Sequence, residues 1–252
     1  PIYFLKSIKN PTEIKNMKKS HMIDGVALTK FLFWLKKNFR KKKITEISAQ
    51  KKLENFRKMN KSYKFPSFDT ISGSGPNSAI IHYRATSESN RTLKKGDLYL
   101  VDSGGQYSFG TTDVTRTISL DNNSKFISEI YTRVLKGHIA VSNYKITKHS
   151  IGSDIDQDAR KPLKNIGLDY PHGTGHGVGY FLNVHEGPQS ISKKNKVNLK
   201  AGMIVSNEPG YYKEGYFGIR IENLVYINKD KFEELTLAPI EKDLINKKLL
   251  NK

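Results

Sequence analysis

The chain has 252 residues, 43 Lys or Arg against 24 Asp or Glu, and a formal net charge of +19. That length can bury a sizeable core, no apolar run reaches the ~18–20 residues of a membrane span, and the absence of cysteine excludes disulfides, zinc fingers, iron–sulfur clusters and thiol catalysis. Most of the excess charge lies in residues 1–64, which hold 18 basic and 4 acidic residues; no Arg-rich or stacked-aromatic motif accompanies it, so solvated helix faces are expected there ahead of a nucleic-acid or acidic-membrane footprint.

The first sixty residues read as two helices. Asn10-Pro11-Thr12-Glu13 supplies a cap, a proline at the first helical position and an acid at the third. Ile14, Met17, His21, Leu28, Phe31 and Leu35 then follow at roughly helical spacing. A second start at Thr45 predicts a buried stripe of Leu53, Phe56 and Met59. After Pro66, short runs of Ile, Tyr, Val and Thr broken by glycine predict strands over residues 68–72, 80–83, 98–103 and 113–120. Helices are expected over 124–144 and 154–166, and strand-like texture resumes from 172 to 227. The tail from Asp230 is short and charged and carries no clear pattern. The layout is α+β, with helices segregated from an antiparallel sheet.

One internal echo bears on function. Gly96 opens an apolar strand ending in Asp102, and Gly202 opens another ending in Glu208, each six residues on. Glycine-containing turns then lead to a second acid, Asp113 eleven residues after Asp102 and Glu222 fourteen after Glu208. The chain reads as two related βαβ-type halves, each delivering two carboxylates from a hairpin, and a pseudo-two-fold would bring the four together. A carboxylate on an apolar strand needs a cation, either an arginine or a metal. Between the halves, His172 and His176 sit four residues apart among glycines, in a strand or loop rather than on a helix, and His185 follows. Four carboxylates with an imidazole make a hard, oxygen-rich site that suits a pair of Mn²⁺-like ions better than Zn²⁺. Two such ions ~3.5–4 Å apart can activate water and polarise a carbonyl, which permits amide hydrolysis with no covalent intermediate. No G-x-S-x-G elbow offers a serine-hydrolase alternative, and Gly73-Ser74-Gly75 lacks the ending of a phosphate-binding loop.

The strings Ile80-Ile81-His82-Tyr83, Val101-Asp102-Ser103-Gly104, Gly110-Thr111-Thr112-Asp113-Val114-Thr115-Arg116-Thr117, the glycine- and histidine-rich run 172–179, the run 183–188, Asn207-Glu208-Pro209-Gly210-Tyr211-Tyr212 and the run 217–223 resemble aminopeptidase P. From residue 1 to about 227 the chain is similar to the catalytic domain of the X-prolyl aminopeptidases. The resemblance implies the pita-bread fold, a pseudo-two-fold antiparallel β-sheet covered by helices. It also implies release of the N-terminal residue from peptides with proline second. Asp102 would chelate one metal, Asp113 and Glu222 would bridge two, and His176 with Glu208 would complete the second, Glu208 also acting as general base. His82, His172 and His185 would line the cleft and bind substrate, and Arg220 would orient a bridging carboxylate or the substrate. Tyr83 and Tyr180 are expected to pack rather than wall the cleft.

Two divalent ions are expected, Mn²⁺ first with Co²⁺ or Zn²⁺ as alternatives. Peptides are the expected partners; neither a membrane nor a nucleic acid is, and the location is expected to be cytoplasmic. Residues 1–252 are expected to form one catalytic domain, with 1–64 as its basic helical opening. X-prolyl aminopeptidases carry further domains before this one, so the chain, starting at Pro1, is expected to be the C-terminal part of a longer protein that can form a homodimer. Prolidase is the nearest rival reading, set against the nine-residue step from His176 to His185. A non-catalytic pita-bread module that binds peptide or nucleic acid is the other, set against the complete ligand set.

Overall fold

The computed structural model describes residues 1–121 and 123–251. A short helix, α1 (Ile2–Ser7), precedes α2 (Pro11–Asn38) and α3 (Glu46–Lys58). Asn10 caps α2 with both arms of a capping box: its side chain accepts from Glu13 N at 3.0 Å, and the Glu13 carboxylate accepts from Asn10 N at 2.8 Å. Thr45 and Ser48 do the same for α3. Met17, His21, Leu28, Phe31 and Leu35 are buried along α2, and Leu53 along α3. Met59 is instead 71% exposed, because it caps the C-terminus of α3, beyond the last turn that faces the core.

Strands β1 (Tyr63–Pro66), β2 (Ile71–Ser74), β3 (Leu98–Ser103), β4 (Gly105–Tyr107), β5 (Gly110–Thr111) and β6 (Val114–Ser119) come next, then helices α4 (Lys125–Ser142) and α5 (Gly152–Lys164). Strands β7 (Gly175–Gly177), β8 (Glu186–Ile191), β9 (Ile204–Asn207), β10 (Gly210–Lys213), β11 (Phe217–Arg220), β12 (Asn223–Asn228) and β13 (Lys231–Glu234) follow, and α6 (Lys247–Leu250) lies near the end. Residues 80–83, expected as a strand, form a turn after a 3-10 segment, with Tyr83 N donating to Ile80 O at 3.1 Å. The Tyr83 hydroxyl reaches inward to Glu46 at 2.8 Å, which bends the segment away from any strand edge. The tail is also more structured than its charge suggested. It adds β13 to the sheet edge beside β12 and buries Leu235, Ala238 and Leu244.

The pseudo-two-fold is an αα-βββ repeat. Helices α2 and α3 pack together ahead of the antiparallel meander β2-β3-β6, and α4 and α5 pack together ahead of β7, β9 and β12. This corrects the βαβ expectation: both hairpins are antiparallel, with Asp102 opposite Thr115 and Asn207 opposite Asn223, and antiparallel neighbours need no crossover helix. Each half has its own core. Phe31, Leu35, Leu53, Tyr99, Val101 and Ile118 fill the first; Val141, Ile155, Met203, Val205 and Val225 fill the second. The halves meet where Glu222 N donates to Thr115 O at 3.2 Å. There Arg116, 1% exposed, donates from Nη1 to Glu222 O at 2.6 Å and from Nη2 to Ala238 O at 2.7 Å. Among the described residues no helix is long and apolar enough to cross a membrane.

Candidate metal centre

The ends of the two hairpins converge on a cleft of about 410 Å³. Asp102 stands on β3, Asp113 precedes β6, Glu208 follows β9 and Glu222 precedes β12. All four line the cleft, with His176 from the centre of β7. Close backbone approach makes the convergence possible. A Cβ on Gly104 would lie 1.9 Å from Thr112 O, so only glycine lets the Asp113 loop close onto β3. A Cβ on Gly175 would lie 1.9 Å from Ser206 O, so β7 reaches β9 only with glycine beside His176.

One ligand atom from each of Asp113, His176 and Glu222 lies within 4.8 Å of the others, a group able to hold a metal ion. His176 Nε2 is 3.3 Å from Asp113 Oδ2 and 3.4 Å from Glu208 Oε1. Its Nδ1 is 2.8 Å from Gly177 O and therefore donates there, which fixes the tautomer and aims Nε2 at the acids. Asp102 Oδ2 accepts from Arg220 Nη2 at 2.7 Å, while the buried Asp102 Oδ1 has no partner among the described residues. Glu222 Oε2 accepts from Thr115 Oγ1 at 2.5 Å, and Ser206 Oγ donates to Glu208 Oε1 at 2.8 Å.

The electrostatics call for added positive charge. Burial, then the charge of Asp102, pushes the Asp113 carboxyl up despite His176. Burial, then Asp113, Glu208 and Asp102, drives Glu222 far above the carboxylate range. Burial raises Glu208 to about 7 against the pull of His176 and Arg220. Burial alone would lower His176, but the bond to Asp113 and the charge of Glu208 lift it to about 9. Crowded carboxylates that resist ionisation together, with an orphaned carboxylate oxygen among them, fit a site made for divalent cations.

Around this cluster lie the other expected residues. His82 is exposed on the cleft wall, and His185 stacks edge-on to His176 with ring centroids 4.1 Å apart. Burial and then His176 push His185 down to about 4. His172 Nδ1 donates to Gly173 O at 2.7 Å, and its Nε2 lies 2.8 Å from Tyr212 Oη. Arg220 Nη1 donates to that same oxygen at 2.8 Å, so the Tyr212 hydroxyl hydrogen goes to His172 and both ring nitrogens are engaged. Burial, then Arg220, holds His172 neutral, down to about 4. Arg220 thus bridges Asp102, Thr115 and Tyr212. Tyr83 and Tyr180 pack as expected, bonded to Glu46 and Asn16 respectively.

Thr115, Ser206 and Tyr212, which orient the acids and His172, carried no role in the sequence reading. The signal for Thr115 was strand alternation, two residues from Asp113 on the same face.

A protein named Xaa-Pro aminopeptidase 1 from Dictyostelium discoideum is 48% identical over 269 residues, taking in all of this chain and 43% of that protein. A crystal structure described as X-prolyl aminopeptidase from Caenorhabditis elegans, a cytosolic enzyme with a di-nuclear active site, superposes with TM-score 0.95 at 40% identity, over 99% of this chain and 43% of that one. A recombinant prolidase from Thermococcus sibiricus superposes with TM-score 0.84 at 33% identity, over 95% of this chain and 63% of that one. The chain therefore spans less than half the length of the Dictyostelium and Caenorhabditis proteins, and its architecture is that of these enzymes, the pita-bread fold. Residues 15–229 match metallopeptidase family M24, and the chain belongs to that family.

Proposed function

We propose that this chain carries the active site of a metal-dependent aminopeptidase that releases the N-terminal residue from peptides with proline at the second position. The observation that supports this most is the convergence of four carboxylates and His176, drawn from both halves, on one cleft shared with His82 and His185. In this reading Asp102 would hold one ion, His176 with Glu208 would hold the other, and Asp113 and Glu222 would contribute to both. A set dominated by hard oxygen donors favours Mn²⁺, with Co²⁺ or Zn²⁺ next. Bound there, the ions supply transition-state charge stabilisation and lower the pKa of water.

The chain's own residues do the rest. Glu208, held by Ser206, takes a proton from the attacking water. Arg220 fixes Asp102 and, through Tyr212, His172. His82 and His185 have no hydrogen-bond partner among the described residues and are the imidazoles free to donate to substrate carbonyls. Proline nitrogen carries no N–H in a peptide, so the second residue is recognised by shape, for which Phe68, Ile71, Ile81 and Val184 offer apolar cleft walls. A cytoplasmic setting and a homodimer of the full-length protein belong to the same proposal.

Hydrolysis of an Arg-Pro-Pro-type peptide and of an Arg-Pro dipeptide, each with Mn²⁺ and with chelator, tests it. Metal-dependent release of the first residue from the longer peptide is expected. Cleavage of the dipeptide alone would favour a prolidase, the reading that the Thermococcus structure supports. Retained X-Pro cleavage in Glu208→Gln or Asp113→Asn would overturn the site assignment.

A further inference from the structure

Three irregular segments carry the cleft histidines, and each is pinned by one buried charged side chain from another part of the chain. The first is Glu46, fully buried at the first position of α3. Its Oε1 accepts from Ser74 N at 2.7 Å, and its Oε2 accepts from Tyr83 Oη and Arg91 N, each at 2.8 Å. Asn77 Nδ2 reaches both oxygens, at 3.1 and 3.2 Å. These bonds bracket residues 74–91, and Tyr83 is the neighbour of His82.

The second is Arg160 on α5, 1% exposed. It is held by Asp156 through Nε at 2.8 Å and Nη2 at 3.1 Å. Its Nη2 also donates to the backbone oxygen of His172 at 2.5 Å, and Nη1 to Tyr170 O at 2.7 Å. Asp156 Oδ1 in turn accepts from Thr174 Oγ1 at 2.7 Å. The loop on both sides of His172 is therefore fastened to α5. The third is Lys9, between α1 and α2 and 4% exposed. Its ammonium pairs with buried Glu186, the residue after His185, and Lys6 supports the same carboxylate at 3.3 Å.

Arg160 with Asp156 and Lys9 with Glu186 are buried ion pairs, whose desolvation offsets most of their mutual attraction, while Glu46 is met by four hydrogen-bond donors and by no cation among the described residues. Three buried charged side chains, each at the segment of a different cleft histidine, form a pattern that stability does not explain. We infer that Glu46, Arg160 and Lys9 are positioning residues, each setting the place of one imidazole: His82, His172 and His185 respectively. This rests on the reading of those histidines as cleft groups in the proposed aminopeptidase.

The test introduces Glu46→Gln, Arg160→Lys and Lys9→Met into the unsubstituted protein and into each of His82→Ala, His172→Ala and His185→Ala. Each positioning variant is expected to lower kcat/KM by about 10-fold or more at unchanged metal content, since ångström-scale misplacement is costly. It should add less than about twofold when its own histidine is already alanine, yet stay additive with the other two. An equal cost in every background would reduce the three to general stabilisers and overturn the inference. Imidazole NMR signals provide a readout independent of activity and of substrate: each variant should move the signals of its own histidine and spare the others. Signals that move uniformly, or not at all, would overturn it too. Where one variant fails to accumulate, Glu46→Asp, Arg160→Gln or Lys9→Arg replaces it in the same comparison. An unsubstituted protein inactive on X-Pro peptides would count against the proposed function, and the NMR comparison would still decide this inference.

Discussion

The two hairpins are built alike and used differently. In the first, Asp102 opposes Thr115, which leaves Asp113 two residues out of step in the loop ahead of β6. In the second, Asn207 opposes Asn223, so Glu208 and Glu222 are the next residues on facing strand ends. To the acid cluster the first half provides carboxylates only and the second adds His176; to the cleft around it the first contributes His82 and the second His172 and His185. Neither half orients its own acids alone. Arg220 of the second half holds Asp102 of the first, and Thr115 of the first holds Glu222 of the second. A duplicated frame has become one site because the orienting bonds cross between its copies.

Substitutions can break that reciprocity in graded steps. Glu208→Gln removes the proposed base while keeping shape, and kcat is expected to fall by about 10²–10⁴-fold; a smaller loss in a metal-loaded sample would move the base elsewhere. Arg220→Lys should weaken metal binding and activity by about 10–100-fold, because an ammonium cannot span Asp102, Thr115 and Tyr212 at once. Thr115→Val is close to isosteric and removes the hydroxyl that donates to Glu222 and accepts from Arg220 Nε, so about a 10-fold loss of metal affinity is expected by titration. An affinity equal to the parent's would mean that Glu222 is held from its own half.

The anchors beneath the hairpins also differ, and pH separates them. Ser103, next to Asp102, accepts from Arg57 Nη2 at 3.0 Å, and Arg57 is paired with Asp24 at 2.7 Å. Asn207, next to Glu208, is held by His138, whose Nδ1 lies 3.1 Å from the Asn207 oxygen. Burial alone would raise Asp24, but Arg57 brings it below its ordinary value, so that anchor's contribution is complete above the unfolded carboxyl range and is lost only as pH falls below it. Burial, then the charge of Arg116, lowers His138 from 6.5 to about 4. Between those values the unfolded chain binds a proton that the folded one refuses, so this contribution, on the order of 3 kcal/mol, is lost as pH falls from 6.5 to about 4. Hydrogen exchange on metal-free protein near pH 5 should therefore release β9 and β12 before β3 and β6, and His138→Gln should reduce the difference. Release of β3 and β6 first would contradict the assignment of anchors.

The strand ends and caps were legible because their signals are local. Asn10 and Thr45 announce the helices they cap, and the step from a turn glycine through an apolar strand to an acid marked Asp102 and Glu208, with Asp113 and Glu222 read as the second acid after each turn. What sequence alone could not show was anything set by distant partners. Arg116 looks like one more strand cation, yet it joins β6 to residues 222 and 238 across more than a hundred positions. Residues 80–83 look β-branched enough for a strand, but Glu46 draws Tyr83 inward and turns them. His172 read as a substrate donor, whereas Tyr212 and Gly173 engage both its nitrogens, and Tyr212 is brought there by pairing of β10 with β11.

Metal stoichiometry tests most directly whether both halves build one centre. Titration of chelator-stripped protein with Mn²⁺ should show two ions per chain for the parent. Asp102→Asn in the first half and Glu208→Gln in the second should each weaken or abolish one of the two, and Glu222→Gln should affect both. A single ion per chain, or two ions unaffected by substitutions in one of the halves, would contradict a centre shared between them.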